Sequence, residues 1–162
     1  MIFVTVGTQL PFDRLISAVD AWAGRTGRRD ILAQIGPSEL RPEFLEYRPF
    51  LSPTEFSRHF ASAELVIAHA GMGSILTAMS QGKPILVMPR YASLNEHRND
   101  HQLATARRFK ELDRILVAMD AQELDAQLSR LESIPTASRI GLYASSELLA
   151  AVRAFLRGDR AL

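Results

Sequence analysis

Two clusters in this chain carry residue types suited to gripping an anionic, hydroxyl-bearing molecule. The first is Ala68-His69-Ala70-Gly71-Met72-Gly73-Ser74, which follows the apolar run Leu65-Val66-Ile67 and precedes the helix-like Ile75-Leu76-Thr77-Ala78-Met79. A strand, a glycine-rich turn and a helix start in that order bring backbone N–H groups close to a ligand, and the helix end favours negative charge. The second is Glu96-His97-Arg98-Asn99-Asp100-His101-Gln102, which follows the apolar Ile85-Leu86-Val87-Met88. Polar loops at the carboxyl ends of apolar strands are where an open α/β sheet takes its ligand.

Each residue has a plainer reading beside the functional one. Gly7 and Thr8 form the first strand–helix turn, where backbone and hydroxyl could face a diphosphate or simply make a tight turn. His69 ends a buried strand; it is either a satisfied structural histidine or a ligand-side group. Gly71 and Gly73 would permit close backbone approach, and Ser74 is an N-cap or a phosphate contact. Met72 is apolar packing unless it touches a base. His97 and His101 are spaced i,i+4, as on one face of a helix, but a metal would need a third ligand from elsewhere. The better reading is a polar helix start in which Glu96, Asn99, Asp100 and Gln102 bond hydroxyls. The plainer one is an acid-rich helix start serving the macrodipole. Arg90 and Arg98 are candidates to pair with a carboxylate on the ligand.

The surrounding pattern supplies elements to position these groups. Ile2–Val6 reads as a strand. A helix carrying Phe12, Leu15, Ile16, Val19 and Trp22 follows Pro11, with a polar connection over 24–29. Further strands are expected at 30–36, 47–51, 64–68, 85–88 and 114–119. Helices are expected from Ser52-Pro53 through Phe60, from Ser74 to a stop at Gly82, over about 97–110, over 121–132, and over 140–157 with Leu142, Leu148, Leu149, Val152 and Phe155 at helical spacing. Repeated β–α alternation implies an α/β fold with a doubly wound, mostly parallel sheet.

Composition narrows the partners. The 162 residues fit a single domain, 1–162, and a net charge of +1 gives no electrostatic case for nucleic acid. The absence of cysteine excludes disulfides and thiolate chemistry. The N-terminus reads as a first strand rather than a signal peptide, and no window suits a membrane span, so a cytoplasmic location is expected. There is no full G-x-G-x-x-G, no G-x-S-x-G, no P-loop, no framed glutamate pair and no D-x-D-like metal pair. The expectation is a binding site with no metal, no cofactor and no complete catalytic set.

The strings Phe3-Val4-Thr5-Val6-Gly7-Thr8, His69-Ala70-Gly71-x-Gly73-Ser74-Ile75-Leu76, Gly82-Lys83-Pro84 and Glu96–Gln102, in this order, resemble glycosyltransferase family 28. More closely they are similar to its stand-alone C-terminal-domain subunits, of bacterial exopolysaccharide synthesis above all and also of the eukaryotic two-subunit UDP-N-acetylglucosamine transferase. The resemblance implies a Rossmann-like domain equivalent to the C-terminal half of a GT-B enzyme. It would bind a UDP-sugar and act only with a membrane-associated acceptor-binding subunit, which would supply the catalytic base and the lipid-linked saccharide acceptor. The chain would then sit at the inner membrane face through that partner.

By the same resemblance, the 71–74 loop would take the diphosphate, and His101 with Gln102 the donor sugar. Thr77 would stand where a related enzyme has the acidic ribose ligand, with Glu96 as the alternative acid. The expected reaction is inverting, metal-independent hexosyl transfer in exopolysaccharide assembly, glucuronosyl transfer among the options. The rivals are a UDP-N-acetylglucosamine transferase subunit and a non-catalytic nucleotide-binding module. The 140–157 helix is expected either to cover this domain's sheet or to dock on the partner. In the docking case an apolar patch on the isolated chain would let two copies pair.

Overall fold

Five short apolar runs and the polar Glu46-Tyr47-Arg48 become strands, each bounded by polar or glycine-containing segments. The computed structural model describes residues 1–111 and 115–130. In chain order its elements are β1 (Ile2–Thr5), α1 (Asp13–Thr26), β2 (Ile31–Gln34), β3 (Glu46–Arg48), α2 (Pro53–Ser62), β4 (Leu65–His69), α3 (Met72–Gln81), β5 (Ile85–Met88), α4 (His101–Glu111), β6 (Leu116–Val117) and α5 (Ala121–Leu128). A single 3-10 turn, Ala92–Leu94, interrupts the β5–α4 connection.

The strands form one sheet in the order β3-β2-β1-β4-β5-β6, and every pairing is parallel. This is the doubly wound, Rossmann-like arrangement expected from the β–α alternation. The order reverses between β1 and β4, whose registers pair Val4 with Ile67 and Thr5 with Ala68. The two connections leaving these strands therefore run away from each other and open a crevice at the strand carboxyl ends.

Side-chain alternation along the strands splits the core into two layers. Ile2 and Val4 face Leu15, Ile16, Val19 and Trp22 of α1 and Leu124 and Leu128 of α5. Phe3, Val66 and Val87 face Phe60 of α2, Ile75, Ala78 and Met79 of α3, and Ala106 of α4. Strands covered on both faces read as continuous apolar runs, as β4 and β5 do.

Local chemistry fixes the element ends. Ser52 and Glu55 form a reciprocal capping box at α2, with Pro53 in its first turn. Gly82, at φ 62°, ends α3 in the left-handed conformation. The helix α1 runs on through Gly24 to Thr26 instead of stopping at 24. Gly24 is needed there for closeness, since a Cβ would lie 2.8 Å from the Phe44 ring. Strand β3 covers 46–48 rather than 47–51, because Pro49 has no N–H to continue a ladder. Strand β6 shrinks to two residues and α5 ends at Leu128, short of the 114–119 and 121–132 expected. The expected helix over 140–157 lies outside the described residues. Among the described residues, no helix is long and apolar enough to cross a membrane.

Candidate functional site

At the β1/β4 reversal a cavity of ≈ 330 Å³ opens, lined by Val6, Gly7, Thr8, Gln9, Leu10, His69, Gly73, Ser74, Arg90, His97 and Gln102. Three connections build it. They are the β1–α1 turn, the β4–α3 turn and the β5–α4 loop.

The β1–α1 turn is held from below. Gly7 sits at φ 79°, a left-handed conformation that glycine adopts without strain. Its N–H reaches Thr5 Oγ1 at 3.2 Å, and its carbonyl accepts from Gln34 Nε2 at 3.2 Å. Gln34 is buried and also accepts from Leu51 N–H at 3.1 Å, so one amide ties the turn to the strand next door.

The β4–α3 turn supplies the helix end. Gly71 is the N-cap of α3 and makes no side-chain cap bond. Ser74, a candidate cap by sequence, lies inside the first turn. The first helical bond is Ile75 N–H to Gly71 O, 3.3 Å. The N–H groups of Met72, Gly73 and Ser74 therefore precede the helical ladder and favour an anion. A Cβ at Gly73 would meet nothing within 4 Å, because that position faces the open cavity.

His69 lies between two glycines. A Cβ at Gly7 would stand 2.9 Å from its Cε1, and one at Gly71 would stand 2.3 Å from its Nε2. The ring is mostly buried, and its Nδ1 has no hydrogen-bond partner; His97 Nδ1 is in the same state. Buried polar atoms in native proteins are nearly always paired, so two unpaired ring nitrogens on residues that line one cavity are unusual. Burial first, then the Arg90 and His97 charges, push the His69 imidazole down to about 4, against an opposing pull from the Thr5 backbone. It is neutral at pH 7.

That shift fixes a sign for stability. The folded protein prefers neutral His69 more strongly than the unfolded chain does. The associated stability is complete above the unfolded value near 6.5 and is lost as pH falls toward 4. The shift corresponds to about 3 kcal/mol at most. His69→Gln should flatten the fall in urea midpoint between pH 6.5 and pH 4 relative to wild type. Parallel pH profiles for the two proteins would show that His69 is not the titrating group.

The β5–α4 loop departs from expectation. The helix begins at His101, not near 97, because side chains in the loop take over its backbone bonds. Asn95 is left-handed at φ 56°. Asp100 Oδ1 accepts from Ala92 N–H at 3.0 Å, and Asn99 Oδ1 from His101 N–H at 3.2 Å. His97 is therefore not on the helix, and the i,i+4 pair with His101 does not form. Among the described residues no cluster of three metal-ligating side chains occurs.

Glu96 is likewise committed. It accepts from Arg14 Nε at 2.7 Å, from the Arg14 terminal nitrogen at 2.8 Å and from Tyr91 N–H at 2.9 Å. A carboxylate with three donors already seated is a structural ion pair, and this argues against Glu96 as the ribose ligand. Thr77 Oγ1 donates to Gly73 O at 2.8 Å, and Thr77 does not line the cavity. Of the residues nominated from sequence, Gly7, Thr8, His69, Gly73, Ser74, His97 and Gln102 converge on the cavity. Gly71 acts behind His69. Met72, Thr77, Glu96, Asn99, Asp100 and His101 stand outside the lining, and Met72 is solvent-exposed.

Arg90 was readable only as a possible carboxylate partner. It is 2 % exposed, and its terminal nitrogens donate to four backbone carbonyls. Arg98 is exposed and outside the lining. Neither is placed to grip a uronate. Gln102 accepts from Arg90 N–H at 3.3 Å through Oε1, which leaves its amide NH2 for a ligand acceptor. A slightly larger cleft, ≈ 370 Å³, lies at the amino-terminal rim of β1–β3. Its carboxylates Asp30, Glu46 and Glu55 are engaged by Arg28, Arg48 and Ser52.

The chain is 34 % identical over 119 residues to UDP-N-acetylglucosamine transferase subunit ALG13 of Homo sapiens, covering 67 % of this chain and 10 % of that protein. It is 43 % identical over 70 residues to the subunit of the same name from Eremothecium gossypii, covering 43 % of this chain and 32 % of that one. It thus spans a third or less of the curated relatives it matches. Among solved structures, that of ALG13 by NMR superposes with a TM-score of 0.59 at 19 % identity, covering 93 % of each chain. MurG of Acinetobacter baumannii superposes with a TM-score of 0.57 at 18 % identity, covering 81 % of this chain and 41 % of that one. At such identities these two superpositions establish the fold alone. The profile of the glycosyltransferase family 28 C-terminal domain matches residues 1–140, and the chain belongs to that family.

Proposed function

We propose that this chain is the donor-binding subunit of a two-chain UDP-sugar glycosyltransferase. The observation that carries the reading is the convergence, in one cavity, of the open α3 N-terminus with His69, His97 and Gln102. Backbone N–H groups and the helix end would receive the diphosphate. His69, desolvated and neutral, would offer a ring N–H without bringing a charge of its own. Gln102, on the first turn of α4, would bond a sugar oxygen through its amide.

For the donor, UDP-N-acetylglucosamine is the better-supported sugar. The relatives found are named for it; of the two arginines that a uronate would have used, Arg90 is spent on backbone carbonyls and Arg98 lies outside the lining. The earlier expectation of glucuronosyl transfer in exopolysaccharide assembly has no comparable support. The partner is inferred from the same relatives, which are named as subunits, and from the lack of a complete catalytic set in the cavity. An acceptor-binding chain at the membrane face would supply the base and the lipid-linked saccharide.

Calorimetry with UDP, UDP-N-acetylglucosamine and UDP-glucuronate tests the donor reading. Wild type should bind all three through UDP, with the acetylated sugar adding affinity. Gly73→Val should abolish binding with little change in melting temperature, because its side chain enters the cavity rather than the core. A folded Gly73→Val protein with wild-type UDP affinity would remove the diphosphate from this loop. Transfer activity on reconstitution with a membrane-associated partner separates an enzyme subunit from a regulatory nucleotide-binding module.

A further inference from the structure

We infer that Arg90 is a positioning residue that sets the wall of the ligand cavity by pinning two of its loops to each other. One terminal nitrogen donates to Pro11 O at 2.5 Å and Glu96 O at 3.1 Å, and the other to Val6 O at 2.9 Å and Leu10 O at 2.7 Å. Three of these carbonyls flank Gly7-Thr8-Gln9, the segment that forms one side of the cavity; the fourth belongs to the residue before His97. The backbone N–H of Arg90 meanwhile holds Gln102 Oε1. One residue therefore bonds the backbone on both sides of Thr8, the residue before His97, and the Gln102 side chain around the same void.

The surroundings make the guanidinium immobile. Its Cζ lies 4.7 Å from the Phe12 ring centroid, and Arg14 lies 5.2 Å from the same ring on its way to Glu96. Arg14 also donates to Pro89 O at 2.8 Å, so the chain on both sides of Arg90 is tied to α1. No carboxylate salt-bridges Arg90 among the described residues; the guanidinium is held by carbonyl dipoles, with the Glu96 and Asp13 charges favouring it from further off. Such a cation buried in a cavity wall also lends positive potential to an anion that it does not touch. A planar fork is required. A lysine ammonium at this depth is a point charge with three donors and cannot span four carbonyls that lie in two loops.

This inference rests on reading the cavity as a diphosphate site, and its test keeps the two apart. Arg90→Lys and Arg90→Ala are compared with Phe60→Leu, a core change in α2 remote from the cavity, chosen to match their loss of melting temperature. Readouts are UDP affinity by calorimetry and the backbone amide shifts of Gly7, Thr8 and His97 without ligand. Both Arg90 variants should move those amides and weaken UDP on the order of tenfold or more, the scale of several hydrogen bonds misplaced. Millimolar guanidinium should restore UDP binding to Arg90→Ala, and ammonium should not. Phe60→Leu should keep wild-type affinity. Should Arg90→Ala fail to fold, Arg90→Lys decides the matter alone. UDP affinity within twofold of wild type in the folded variants, or equal loss in Phe60→Leu, overturns the positioning role. If wild type itself does not bind UDP, the site reading fails. Unmoved amides at Gly7 and Thr8 in the Arg90 variants would then overturn the strut as well, and moved amides would uphold it.

Discussion

Gly71→Ala should cost on the order of 2 kcal/mol of stability and remove UDP binding together, although it adds one methyl group. The added Cβ would stand 2.3 Å from His69 Nε2, closer than real carbon atoms approach. Gly7 bounds the ring as well, since a Cβ there would stand 2.9 Å from its Cε1, so the space left to His69 is the cavity it lines. Either the ring leaves its slot or the β4–α3 turn moves, and both displace the α3 N-terminus. Backbone strain is not the cause, since Gly71 has an ordinary φ of −88°. The cycle of Gly71→Ala, His69→Ala and the double variant separates the contact from everything else. Removing the ring should relieve most of the penalty of the methyl group, so the double variant should be more stable than the sum of the single changes. Strict additivity would mean that the clash is with something other than His69. Gly73→Ala, two residues on, should leave stability nearly unchanged, because its Cβ points into open space.

Glu96→Ala should be the most damaging change in the β5–α4 loop. The carboxylate side chain is 12 % exposed and its partner Arg14 is 22 % exposed, so the pair is only partly screened by water. Truncation leaves Arg14 without its bidentate partner and Tyr91 N–H without an acceptor. The expected loss is about 2–3 kcal/mol, below that of a fully buried pair. Thermal melts and urea unfolding read it directly. Because Glu96 is read as structural and not as a ribose ligand, Glu96→Gln should lower stability while retaining much of the UDP affinity of the folded fraction. A variant of unchanged stability that binds UDP poorly would return Glu96 to the ligand and overturn the structural assignment.

The pattern along the chain carried the architecture. Apolar runs of four or five residues, each followed by helical spacing, could satisfy their backbone only in a parallel sheet covered on both faces, and the sheet has that form. The stop at Gly82, the helix start at Ser52-Pro53 and the glycine turn at 71–73 were visible because they are local, set by residues within one turn of one another. So was the side of the sheet that binds, since polar loops followed β4 and β5. What the sequence could not decide was which polar residues of those loops face the ligand. Glu96, Asn99 and Asp100 have the chemistry of sugar ligands, but Arg14 reaches Glu96 from 82 positions away, and the loop backbone takes the other two. Arg90 had the look of a free cation until three carbonyls from a distant segment and one from its own loop surrounded it. The physical reason is the same in each case. Propensity and periodicity act over a few residues, whereas the partner of a polar group is set by whichever segment the tertiary fold brings within three ångströms. Local order thus determined the elements and the binding edge, and only packing across the β1/β4 crevice decided which side chains were left to meet a ligand.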